Sequence, residues 1–264
     1  MKINKPTIKQ NSANLAAVLC VVGTLAGCSS IQSASNEFKD LTVAPAPDAG
    51  FIADPQRQTK VSYLPFQKVW IDPSFNKDNY QEIIISPVNT QYMQQMDWLH
   101  NMSSAAWFGD VQKDIKELAE YFRNQIITDF RQDPNHRFTV IETAQQHKAP
   151  ALRLEIALIE IDPSTPVLHA AGWAVVGGGT AANVVNQRRA AFEARLRDMQ
   201  TNKIVATFAD RNAQDIAPID LTNLTWYGPA KGIMDNWAME FVAVANRKPG
   251  EVVTSNVAFT LKPF

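Results

Sequence analysis

Apolar positions follow two periods along this chain, and their alternation sets the expected architecture. Val111, Ile115, Leu118, Phe122, Ile126 and Phe130 recur at steps of three and four, which makes one face of a helix over 111–131 apolar, with Asp110 as its N-cap. Ile233, Trp237, Met239, Phe241 and Val244 mark a terminal helix with Pro249-Gly250 beyond its end. Elsewhere the period is two, or the apolar run is unbroken. Leu152, Leu154, Ile156, Leu158 and Ile161 mark a long strand over 151–161. Phe192, Ala194 and Leu196 alternate with Glu193, Arg195 and Arg197, and after the Thr201-Asn202-Lys203 turn Ile204, Ala206 and Phe208 return as the second arm of an antiparallel hairpin. Tyr63 to Ile71 reads as a strand whose start Pro65 keeps near an edge, Glu82 to Val88 as a strand buried on both faces, and Phe138 to Ile141 as a short strand beside it. The segment 89–109 reads as a loop with some helix, Ala144 to His147 as a short helix, and Val252 to Leu261 as an extra strand or a tail. The predicted fold is α+β: a mixed, largely antiparallel sheet with two long helices packed on one face.

The first fifty residues obey neither period. Lys2, Lys5 and Lys9 precede an uncharged apolar run from Leu15 to Leu25, the basic and hydrophobic parts of an export signal. That run is shorter than the roughly 20 residues that span a bilayer. The Leu25-Ala26-Gly27-Cys28 stretch that follows resembles a bacterial lipobox. The resemblance implies that residues 1–27 are removed, that the Cys28 thiol carries a diacylglyceryl group and that the new amino group is acylated. Ser29 comes next; resemblance to enterobacterial lipoproteins implies that serine here allows export to the outer membrane, where aspartate would retain the protein in the inner one. The expected location is the outer membrane, facing the periplasm, with the membrane contacted through the Cys28 lipid. Residues 28–50 are small, polar and broken by Pro45 and Pro47, which predicts a flexible tether before a single domain over 51–264.

Charge and cysteine content narrow the partners. The chain holds 25 Lys+Arg and 26 Asp+Glu; without the three signal lysines the balance is 22 against 26, or −4, and no basic cluster invites a nucleic acid. Cys20 lies in the signal and Cys28 takes lipid, so no disulfide is expected. His100, His136, His147 and His169 lack metal-ligand spacing, so neither a metal nor another cofactor is expected. No Gly-x-Ser-x-Gly is present, and pairs such as Asp97 with Asp110 or Glu155 with Glu160 read as surface charges.

One further stretch is unusual. From Pro163 to Gln187 there is no charged residue, and within it stand Trp173, Val175, Val176, Gly177, Gly178 and Gly179. The triple glycine lacks the Lys-Ser/Thr pair of a phosphate loop. An uncharged stretch of this length calls for an apolar neighbour: the core, a second copy, lipid or an envelope protein.

The lipobox, Gly50-Phe51-Ile52, Ile85-Ser86-Pro87-Val88, Leu152-Arg153-Leu154-Glu155-Ile156, the triple glycine and Glu193-Ala194-Arg195-Leu196-Arg197-Asp198, taken in order, resemble the proteobacterial lipoproteins grouped as domain of unknown function family 3313. The resemblance covers almost all of the mature chain. It implies an envelope lipoprotein and brings no catalytic residue with it. The first functional expectation is thus a lipid-anchored, non-enzymatic interaction or accessory module with 163–187 as its contact. The alternative is a small-ligand or lipid-binding periplasmic domain using Trp98, Trp107, Phe108 and Trp173; a hydrolase comes third. A preformed apolar cavity lined by Trp98, Trp107 and Trp173 would favour the alternative, and carboxylates converging with histidine in a cleft the hydrolase.

Overall fold

A computed structural model describes residues 43–95, 111–143, 145, 148–162, 188–214 and 227–255. The expected helix α1 forms over Val111–Gln132. Its stripe is buried as the spacing predicts, with Ile115, Leu118, Phe122, Ile126 and Phe130 all in the core. The terminal helix α2 spans Gly228–Asn246 and carries Pro229 in its first turn, where the missing N–H costs nothing. Ile233, Trp237 and Phe241 point inward, whereas Met239 is 45% exposed because it lies off the face that steps of four define.

The strands are β1 (Lys68–Ile71), β2 (Glu82–Ile85), β3 (Thr139–Val140), β4 (Ala151–Ile161), β5 (Arg188–Asp198) and β6 (Ile204–Gln214). They form one sheet in the order β1-β6-β5-β4-β2-β3. The fold is α+β as expected, but the sheet is mixed rather than largely antiparallel. β1, β6, β5 and β4 pair antiparallel, whereas β2 runs parallel to both β4 and β3. The crossover through α1 sets this direction, since a strand that returns after a helix re-enters the sheet parallel. The strand expected from Tyr63 is shorter than its apolar pattern. Leu64 N–H donates to the Val61 carbonyl in a turn, Pro65 follows, and pairing starts only at Lys68. The hairpin turn has Asn202 at φ 59, a left-handed conformation that asparagine tolerates. All four β2 residues are buried.

Side chains on one side of the central strands meet the helices. Phe192 of β5 lies 4.8 Å from Trp237, 5.4 Å from Phe241 and 6.4 Å from Phe122, ring centre to ring centre. Asp133, 3% exposed, joins the two helix ends: its carboxylate accepts from the Arg137 and Asn135 N–H groups and from Asn246 Nδ2. The alternate residues of β4, β5 and β6, among them Ala157, Ala191 and Ala209, pack instead against Phe51 and Ile52. Here Glu193, buried in β5, accepts from the N–H groups of Ala49 (2.7 Å) and Ile52 (3.0 Å). Arg195 stacks on the Phe51 ring at 4.0 Å and donates to Glu155, which also takes Arg197. Farther toward the segment's start, the Val43 carbonyl accepts from Gln67 and the Ala46 carbonyl from Lys68.

Candidate functional site

Sheet register builds an apolar row that crosses the strands. Ile85 pairs with Leu154, Leu154 with Leu196, Leu196 with Ala206 and Ala206 with Ile71, so these positions share one level of the sheet. Deeper in the sheet, space above the strands is filled by rings: Phe66 sits 5.7 Å from Phe192, 5.3 Å from Phe208 and 5.1 Å from Phe241. Toward the β5–β6 turn small Ala206 and Ala245 stand where larger side chains would fill the space, and a pocket of about 370 Å³ opens. Its floor is Leu152, Leu154, Leu196, Ala206 and Phe208; Phe130 and Phe138 wall one side, and Phe241, Val244 and Ala245 the other.

Polar groups stand at the mouth, on the loop after β1 and the segment after α2. Asn76 Oδ1 accepts from Asp78 N–H at 3.0 Å and caps the short turn Lys77–Asn79. Arg137 stacks on Phe138 at 4.3 Å and donates to the carbonyls of Tyr80 and Lys77 and to the Asp78 carboxylate. The Lys77 ammonium donates to the Ala245 carbonyl at 2.6 Å. Burial lowers its pKa from the ordinary value, and the Arg137 charge lowers it further. Arg247 lies over the Tyr63 ring at 4.0 Å and donates through Nε to the Glu251 carbonyl at 2.7 Å. Tyr63 and Ile71, 39% and 36% exposed, complete the opening.

The residues singled out from sequence are placed differently. Cys28, Ser29, Trp98, Trp107, Phe108, Trp173, Val175, Val176 and Gly177 to Gly179 lie outside the described residues, as do Asp110 and the histidines His100, His147 and His169. His136 is described, in a left-handed conformation at φ 46 in the turn after α1. Glu155 and Glu160 are each engaged by arginine, Glu155 by Arg195 and Arg197 and Glu160 by Arg211 and Arg189. Burial pulls the Glu155 carboxyl up, but Arg197 and Arg195 outweigh it and hold the pKa below the usual value. Among the described residues no three His, Cys, Asp or Glu side chains converge to hold a metal, and no helix is long and apolar enough to cross a membrane. The pocket residues carry no motif. The only signals were the inward phase of Leu154 and Leu196 and the small Ala206 opposite them.

Fold and site together define an α+β domain with an apolar pocket and a cationic mouth. The chain belongs to the family described as "Protein of unknown function (DUF3313)", matched over residues 49–241. No curated protein matches the sequence. Solved structures give distant likenesses. The PelC dodecamer from Paraburkholderia phytofirmans is 8% identical, with 65% of this chain and 94% of that one covered and a TM-score of 0.35. Protein XCC0632 from Xanthomonas campestris is 11% identical, covering 70% and 95%, with a TM-score of 0.38. A putative neuraminyllactose-binding hemagglutinin homolog from Helicobacter pylori is 12% identical, covering 65% and 84%, with a TM-score of 0.29. At such TM-scores the likenesses carry no argument about ligand or assembly.

Proposed function

We propose that this chain is a lipid-anchored, non-enzymatic envelope protein whose domain takes up an apolar small molecule in the pocket above Leu154, Leu196 and Ala206. The pocket itself carries the reading. Its volume of about 370 Å³ falls within the roughly 300–1,000 Å³ of small-molecule sites. A surface gap of this size lined by leucine and phenylalanine forfeits packing that an occupant restores. A binding role is preferred to a catalytic one because, among the described residues, the titratable side chains that line the pocket, Tyr63, Lys77, Asp78 and Arg247, stand at its rim and the deeper walls are apolar. The Leu25-Ala26-Gly27-Cys28 stretch and Ser29 support attachment at Cys28 and residence in the outer membrane, facing the periplasm.

Ala206 is 1% exposed and lies on the pocket floor. Ala206→Phe is expected to fill the space and weaken dodecanol binding by at least about tenfold, the scale set by one or two misfitted methylenes. Displacement of a fluorescent aliphatic probe reads this. Undiminished dodecanol binding in a folded Ala206→Phe protein would place the ligand elsewhere. For the anchor, Cys28→Ser is expected to leave an unprocessed precursor that takes up no labelled fatty acid. Incorporation equal to wild type would refute lipidation, and recovery of the wild type only in inner-membrane fractions would refute the location.

A further inference from the structure

The pocket's mouth carries two cations, Lys77 and Arg247, that no carboxylate pairs directly among the described residues, although the Asp78 and Glu251 charges act on Lys77 from farther away. Lys77 has three N–H donors, and its one protein acceptor shown is the Ala245 carbonyl. Arg247 is stacked on Tyr63 and uses Nε on the Glu251 carbonyl. Neither is in an ion pair among the described residues, and the nearby acids are turned to other partners: Asp78 to Arg137 at 3.3 Å, and the Glu251 carboxylate to the Lys248 N–H at 2.9 Å. Both cations are half-buried beside apolar walls, where charge is costly unless it is paired. Their supports are fixed, Lys77 through the Asn76-capped turn and its Arg137-bound carbonyl, and Arg247 through the Tyr63 ring.

We infer that the occupant is a single-chain anionic amphiphile, its aliphatic chain laid on Leu154, Leu196 and Ala206 and its acidic head held between Lys77 and Arg247. This rests on the binding reading above and adds the chemistry of the head. One chain suits a pocket near the lower end of the usual size range. A carboxylate or a phosphate head would satisfy the two cations equally, as in a fatty acid or a lysophospholipid.

The test uses the chain from Ser29 to Phe264 and four ligands that share one chain length: laurate, dodecyl phosphate, dodecanol and dodecyltrimethylammonium. At least one anion is expected to bind about tenfold more tightly than dodecanol, the scale of a charge-assisted hydrogen bond, and the cation more weakly than either. Preference for laurate points to a fatty acid, and preference for dodecyl phosphate to a phosphate head. Lys77→Gln and Arg247→Gln are each expected to remove most of that preference by weakening anion binding far more than dodecanol binding, and Lys77→Arg to retain it. Equal affinity for all four ligands would overturn the head site but leave the pocket; no binding of any would overturn both. The competing occupant is the chain's own end. Val253 N–H donates to the Tyr63 carbonyl at the mouth, and Val257, Phe259 and Leu261 follow. If ligands bind only after residues 256–264 are removed, the pocket belongs to that segment and the proposal fails.

Discussion

Phe122→Ala is expected to lower the unfolding free energy by about 3 to 5 kcal/mol, the cost of removing a large ring from a packed core. The ring is fully buried and lies 5.8 Å from Trp237 and 6.4 Å from Phe192, so its loss empties the junction of α1, α2 and β5. Glu120, two residues earlier, is exposed on the opposite face. Glu120→Ala should therefore stay within about 0.5 kcal/mol of the parent. Denaturant unfolding of both variants decides the matter, and equal losses would mean that this aromatic junction does not hold the helices to the sheet.

The second large effect is a dependence on pH centred on Asp210. Its side chain is 6% exposed, accepts from Trp237 Nε1 at 2.8 Å and from the Gln67 N–H at 3.0 Å, and so ties α2 to the start of β1. Burial outweighs these bonds and the charge of Lys60, and pushes the pKa from 3.8 up to about 6. In that window the folded state holds a proton that the unfolded state has released. The stabilising contribution is therefore complete below pH 3.8 and is lost as pH rises through about 6. The full swing is about 3 kcal/mol at 1.36 kcal/mol per unit. Glu155 and Asp133, whose pKa values are lowered, act in the opposite sense, so the comparison must be with Asp210→Asn. The stability of wild type minus that of Asp210→Asn should fall between about pH 4 and about pH 7 by an amount of that order. A difference that stays flat across this range would show that Asp210 does not titrate there.

Much of the fold could be read from side-chain period, because burial on a helix or a half-buried strand selects residues at steps of three and four or of two. The α1 stripe and the β5–β6 hairpin are of this kind. What depends on backbone pairing left no such trace. The parallel entry of β2 and β3 follows from how the chain crosses through α1, and the strand from Tyr63 is cut short by a backbone turn at Val61 to Leu64. Residues 43–49 read as tether because they are small and proline-broken, yet their backbone N–H and carbonyl groups meet Glu193, Gln67 and Lys68, bonds that need no large side chain. The pocket was illegible for a related reason. Its lining draws Leu154, Leu196, Ala206 and Ile71 from four strands, and only register brings them together. Lys77 sits in a polar loop and Arg247 beyond a helix end, where a lone cation is ordinarily surface charge.

The central claim is that the domain holds an apolar chain above the β4–β5–β6 floor, and methyl-resolved heteronuclear NMR during a laurate titration tests it most directly. The account predicts saturable shifts at Leu154, Leu196, Ala206 and Val244, with Val69 and Ile233 little changed. Shifts confined to Val175, Val176 and their neighbours, with the floor methyls unmoved, would contradict it.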